Sequence, residues 1–156
     1  MPVDVDPETD PREIVLGMWR ELAARNWSRV ADHLSDDCIY FDVPYGPALS
    51  ARGPADIVAR LKVGLEPLAA YTNHDGVLVA DGADVLYEHA ETWEWSSGES
   101  VVLPFVTVHR VADGRITLWK DYWDATTLVS AAPAEWMTQL ASADTDWLYD
   151  ATDEFS

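Results

Sequence analysis

Three short runs carry the residues that could do chemistry. Asp121 lies in Leu118-Trp119-Lys120-Asp121-Tyr122-Trp123-Asp124, which reads as a strand running into a helix or turn. Alternate residues of a strand point to opposite faces, so Asp121 shares its face with Thr117, Trp119 and Trp123. A charge among tryptophans is costly unless it has partners. His89 and Glu91 are placed alike in the run 84–95, where Val85, Tyr87, His89, Glu91, Trp93 and Trp95 share one face. In the run 38–43, Tyr40 and Asp42 share a face with Cys38, but Ile39, Phe41 and Val43 are apolar too, so the inward face stays open there.

Carboxyl groups crowded in a low dielectric cannot all ionise. One held ionised takes a proton from water or substrate, another held neutral protonates a leaving oxygen, and a histidine between them could supply a cation. If the sheet curls, Asp121, Glu91, His89, Tyr40 and Asp42 converge among Trp93, Trp119 and Trp123. Tyr87 and Phe105 complete the aromatic lining expected to bind a substrate. Plainer readings stand beside these. Asp121 could end an exposed strand, Glu91 could belong to an exposed edge, and His89 could simply hydrogen-bond a tyrosine. The tryptophans taken singly could be core. His33, His74 and His109 read as structural or exposed. A metal held by Asp42, His89, Glu91 and Asp121 is a separate possibility, but no close-spaced ligand motif supports it, and no metal or cofactor is expected.

The elements that must position these residues follow from periodicity. Asp10 and Pro11 open a helix whose apolar stripe is Ile14, Val15, Met18, Trp19 and Leu22. A short helix over 27–34, a strand over 38–43, a Pro/Gly loop and a helix over 54–66 follow. From residue 71 the period becomes two. Four strand candidates are separated by turns at Asp81-Gly82, Ser97-Gly98 and Asp113-Gly114, the last three strands forming an antiparallel meander. A short helix is expected near 134–140. The expected fold is α+β: a strongly curved mixed sheet, a cone-shaped half-barrel, packed against N-terminal helices around an aromatic-lined pocket. Residues 1–10 read as a loose arm, 11–130 as the domain, and 131–156 as an acidic extension whose Trp147, Leu148, Tyr149 and Phe155 suit packing at the pocket mouth.

The chain of 156 residues carries 28 acidic and 10 basic residues, a formal net charge of −18. That balance argues against nucleic acid and against an anionic membrane surface, both of which need clustered Lys and Arg. The single Cys38 forms no internal disulfide. The acidic start, MPVDVDPETDP, lacks a signal peptide's basic-then-apolar pattern, and no apolar run approaches about 20 residues. A cytoplasmic protein is expected.

The order of elements and the Trp119-Lys120-Asp121-Tyr122-Trp123-Asp124 segment resemble the nuclear-transport-factor-2-like cone fold. That superfamily includes SnoaL-like polyketide cyclases, ketosteroid isomerases, scytalone dehydratases and limonene-1,2-epoxide hydrolases. Locally the chain is most similar to the last of these. The resemblance places the catalytic base at Asp121, the acid at Glu91 in Glu88-His89-Ala90-Glu91, and the water-positioning pair at Tyr40 and Asp42. His89 replaces the family's bridging arginine, Glu91 an aspartate, and Asp42 an asparagine. It implies one-step hydrolysis of a hydrophobic epoxide (terpene, steroid or polyketide-like) without a cofactor, in a homodimer formed through the outer sheet face. An isomerase, dehydratase or cyclase acting on a ketone, or a non-catalytic binding module, are the alternatives.

Overall fold

The computed structural model of the chain describes residues 10–155, so the expected arm lies, but for Asp10, outside the described residues. Helix α1 (Pro11–Ala23) begins as its sequence dictates. The Asp10 carboxylate caps it by accepting from the Arg12 backbone N–H at 3.0 Å, and Pro11 occupies the first turn. Its stripe of Ile14, Val15, Met18, Trp19 and Leu22 is buried. Helix α2 (Trp27–Asp32) is shorter than expected, because Leu34 already belongs to β1 (Leu34–Asp42). Strand β2 (Ser50–Arg52) and helix α3 (Pro54–Leu65) follow, α3 burying Ile57, Leu61 and Leu65.

The meander has four strands: β3 (Ala70–Asp81), β4 (Asp84–Glu94), β5 (Ser100–Ala112) and β6 (Arg115–Tyr122). In the β5–β6 hairpin, Asp113 and Gly114 both have positive φ, 51° and 75°, as a two-residue turn matched to strand twist requires. Strand β3 bulges between Asp75 and Leu78. Gly76 sits in that bulge, and a Cβ there would run into the Glu88 carbonyl oxygen, so only glycine lets the strands approach so closely.

With β7 (Leu148–Tyr149), the seven strands form one mixed sheet in the order β3-β4-β5-β6-β1-β2-β7, β1 running parallel to β6 and the other pairs antiparallel. The α+β expectation holds. Alternation also predicts β4 correctly, with Val85, Tyr87, His89, Glu91, Trp93 and Trp95 all buried. Ile116 is the exception on β6. Alternation assigns it to the outer face with Leu118, but a register shift between Arg110 and Val111 turns it into the core.

Strand β1 is buried on both sides. Tyr40 joins the main core, while Ile39 and Phe41 form a second cluster with Ala151, flanked by Val43, Tyr149 and Phe155. The chain beyond β6 makes this possible. Helix α4 (Ala125–Ala131) is capped by Asp124, α5 (Ala134–Ala141) buries Trp136, β7 (Leu148–Tyr149) pairs with β2, and α6 (Thr152–Phe155) brings Phe155 against Phe41. No described helix is long and apolar enough to cross a membrane.

Candidate active site

The register of β1 on β6 sets the centre of the site. Tyr40 pairs with Trp119 and Asp42 with Asp121, so the side chains that alternation left open on β1 stand beside those of β6. A cavity of about 430 Å³ opens over them, within the range of small-molecule sites. Asp121, Glu91, Tyr40 and Asp42 line it together with Trp93, Phe105, Trp119 and Trp123.

Asp121 is buried, and the Trp119 indole N–H donates to Oδ1 at 2.7 Å. The Tyr40 oxygen stands 3.3 Å from Asp121 Oδ2 and 3.0 Å from Asp42 Oδ1. A tyrosine hydroxyl has one proton, and its shorter contact directs that proton to Asp42. Its lone pairs therefore face Asp121 and whatever lies in the cavity. Burial raises the Asp121 carboxyl well above the ordinary carboxylate range, and the charges of Asp42 and Glu91 push it further in the same direction.

Glu91 occupies another wall of the cavity. The Trp93 indole donates to its Oε2 at 2.8 Å, and burial pushes its pKa up to about 7. The Tyr71 hydroxyl stands near the same carboxyl, lowering its pKa somewhat, but without hydrogen-bond geometry; Trp93 is thus the firm donor. Near neutral pH such a group is as readily an acid as a base.

Asp42 is the third carboxylate, and its partner is a residue that sequence reasoning missed. Arg60, from α3, places Nη2 2.7 Å from Asp42 Oδ2 and stacks over the Tyr40 ring at 4.8 Å. Its Nη1 donates to the carbonyl oxygens of Leu49 and Tyr40. The Trp123 indole donates to the other Asp42 oxygen at 2.9 Å. Arg60 supplies the only cationic side chain in the cavity lining, among the described residues. The available signal was its spacing, for Arg60 falls one turn from Ile57 and beside Leu61 on the buried flank of α3.

His89 lies elsewhere. It does not contact Glu91 or Asp121 directly and is absent from the cavity lining. It is buried between Tyr87 and Phe105, stacked on both, with its ring nitrogens on Asn73 and Thr107. Burial lowers its pKa to about 4, so it is neutral at ordinary pH. Tyr87, expected to bind substrate, faces Asn73 and Asp75 instead. His109 is structural, its Nε2 accepting from the Trp19 indole at 3.1 Å, and burial lowers it to about 3. Cys38 is no nucleophile, since burial raises its thiol to about 12. No group of three His, Cys, Asp or Glu side chains among the described residues is arranged to hold a metal ion.

The C-terminal segment also reaches the cavity, through Trp136, Leu140, Ala143, Thr145, Trp147 and Leu148. Trp147 holds its ring 5.6 Å from the Arg60 guanidinium.

The model of the SnoaL-like domain matches residues 15–119, which contain most of α1, all of β1 and α3, and most of the meander. The chain belongs to the SnoaL-like family. Among solved structures, this SnoaL-like protein is similar to an LEH-like epoxide hydrolase of Mycobacterium tuberculosis. The identity is 26%, covering 78% of this chain and 88% of that one, at a TM-score of 0.67. A protein from Catenulispora acidiphila with a ketosteroid isomerase-like fold, solved in complex with trimethylamine, matches at 19% identity over 80% of this chain and 96% of that one, at a TM-score of 0.69. TerC, co-crystallised with polyporic acid, matches at 16% identity over 81% of this chain and 98% of that one, at 0.66. The last two likenesses are of fold alone. They agree with the cone-shaped architecture and leave chemistry to the residues.

Proposed function

We propose that this SnoaL-like protein is an epoxide hydrolase of the limonene-1,2-epoxide hydrolase type, adding water in one step to a hydrophobic terpene, steroid or polyketide-like epoxide. The observation that carries this reading is the pairing of two buried carboxyls, Asp121 and Glu91, in one aromatic cavity, with the Tyr40 oxygen 3.3 Å from Asp121. The 26% identity to the LEH-like epoxide hydrolase supports it.

In this mechanism a water molecule is held by Asp121, Tyr40 and Asp42. Asp121 takes one proton as the water oxygen bonds to an epoxide carbon. The carbon–oxygen bond of the ring breaks, and Glu91 gives its proton to the released oxygen. Asp121 ends neutral and Glu91 ionised, and proton exchange with water resets both. The Arg60–Asp42 pair takes the place expected of a histidine bridge, as a fixed cation beside the water-binding residues. Trp93, Trp119, Trp123 and Phe105 contact the apolar body of the substrate. A homodimer through the outer face of the meander, where Leu86, Val102, Val106 and Tyr122 are exposed, belongs to the same reading and is checked by light scattering in solution.

Incubation with a panel of such epoxides in ¹⁸O-labelled water tests the reaction. A singly labelled diol from the wild type and none from Asp121→Asn is the expected result; unreacted epoxide throughout rejects it. A second reading draws on the raised pKa of both carboxyls. A neutral carboxyl in an apolar site can donate a hydrogen bond to an enolate, as an isomerase or cyclase requires. Exchange of a ketone's α-protons with deuterated solvent, without diol formation, would favour it. Ligand binding with no turnover of either kind would favour a binding module.

A further inference from the structure

The cavity holds more acid than cation. Arg60 is the only cationic side chain in its lining among the described residues, and Asp42 already matches that charge at 2.7 Å. Each carboxyl of the lining receives one indole N–H: Asp42 from Trp123, Asp121 from Trp119 and Glu91 from Trp93. Asp121 has both oxygens met, Oδ1 by that indole and Oδ2 by the Tyr40 oxygen at 3.3 Å. Glu91 does not. Its Oε2 takes the Trp93 N–H, but Oε1 has no hydrogen-bond partner among the described residues. Yet Glu91 is only 4% exposed and lines the cavity.

A buried carboxyl oxygen without a partner is costly, and the ligand that fills the cavity decides how costly. An anion there would meet three carboxyls and a guanidinium that is already paired. A neutral hydrocarbon would leave Oε1 unpaired. An ammonium group answers it, because one side of the cation meets the carboxylate and the rest faces aromatic rings. Nine aromatic side chains line the cavity, six of them tryptophan, the best ring for holding a cation. A volume of about 430 Å³ leaves room for an apolar body beside the charged group.

We propose that the cavity binds a hydrophobic amine in its cationic form, with Glu91 as the counterion and the tryptophan-rich wall around the charge, one proton leaving Glu91 as each cation enters. The exchange balances. The Glu91 O–H bond breaks, its proton passes to solvent, and a carboxylate–ammonium pair replaces a neutral acid, so the charge of the cavity is unchanged. Burial pushes Glu91 up to about 7, so near neutral pH that proton is there to be displaced. The titratable and charged groups around Glu91 are Tyr71 from β3, Tyr40 and Asp42 from β1, Tyr45 beyond it, Arg60 from α3 and Asp121 from β6. Strand β5 sets Leu103 opposite Glu91, and α1, α4 and α5 bring only apolar and aromatic side chains to the cavity. The inference names a ligand class for the same site. It rests on the reading above only for the effect on turnover, since an amine that ionises Glu91 removes the proton owed to the released oxygen and blocks hydrolysis.

Titration calorimetry of the full chain with benzyltrimethylammonium, and with its neutral carbon isostere neopentylbenzene, tests this without any epoxide. At about pH 8.5 the cation is expected to bind about ten- to thirty-fold tighter than the isostere, the range of a desolvated cation–aromatic contact. At about pH 6, in two buffers of different ionisation enthalpy, its binding should release close to one proton and be about tenfold weaker, whereas the isostere should release none. Asp121→Asn should keep both the preference and the proton release. Glu91→Gln should lose both while still binding the isostere. A cation that binds no tighter than the isostere, binding at about pH 6 without proton release, or a preference that survives Glu91→Gln would each overturn the amine site. Cation binding with proton release in a protein that hydrolyses no epoxide rejects the hydrolase reading and leaves the amine site standing. Diol formation without any preference for the cation does the reverse.

Discussion

The guanidinium of Arg60 lies 2.7 Å from Asp42 Oδ2, and both side chains are largely withdrawn from solvent. This ion pair explains how a chain with a net charge of −18 lines one cavity with three carboxylates. Asp42 keeps a paired charge. Asp121 and Glu91 have indole donors and no cation, so the cavity suppresses their ionisation. One site thus separates carboxyls into a fixed anion and two groups able to exchange protons.

Removing one partner of a buried pair strands the other charge, which costs more than the pair contributed. Arg60→Met is therefore expected to destabilise the fold by about 3 kcal/mol. Asp42→Asn added to it should recover a good part of that loss. Urea denaturation of the two single variants and the double variant measures both, and a purely additive cycle would contradict the coupling.

Asp121→Asn should leave the fold intact, because an amide accepts the Trp119 N–H as the carboxylate does and carries no buried charge. Diol formation should fall by about two to four orders of magnitude, the usual worth of a positioned base. Circular dichroism and the ¹⁸O experiment together separate loss of activity from loss of structure.

Glu91 is expected to make stability depend on pH with a definite sign. Its folded pKa, about 7, lies above the ordinary glutamate value of 4.5, so the folded state binds the extra proton between those values. Its contribution to stability is complete below about pH 4.5, falls as pH rises, and is exhausted above about 7. Glu91→Gln should therefore gain on the wild type across that window, by about 3 kcal/mol at most. His89 and His109 act oppositely, since burial lowers both and the unfolded chain takes up their protons first below about pH 6.5. The difference between Glu91→Gln and wild type isolates Glu91, and a difference that does not change with pH would refute the assignment.

Trp147 closes part of the cavity over Arg60 from the C-terminal segment. Trp147→Ala should raise KM for a small epoxide by about tenfold, equivalent to about 1.4 kcal/mol, with kcat little altered. Bulkier epoxides should lose less or gain. Steady-state kinetics on a size series decides this, and an equal loss for all sizes would show that Trp147 does not limit the cavity.

Much of this arrangement is legible in the residues alone. Alternation puts Trp119 and Asp121 on one face of β6, and His89, Glu91 and Trp93 on one face of β4, because an unbulged strand has a period of two. The Asp113-Gly114 turn and the Asp10 cap are equally local. Where a register shift intervenes, at Arg110 and Val111, the same rule misplaces Ile116.

What alternation cannot supply is which faces meet and at what height. Two residues on one face of β4 reach different places: Glu91 enters the cavity, while His89, one pair nearer the β3 bulge, is enclosed by Asn73, Thr107 and two aromatic rings. The Arg60–Asp42 contact spans 18 positions and joins a helix to a strand, so no spacing rule points to it. Residue order tells which side chains share a face of a regular strand, since that depends on backbone geometry within one element. Which of them touch depends on the curvature of the sheet, the parallel register of β1 on β6, and the placement of α3 and the C-terminal segment against it. Those are set by packing of the whole core.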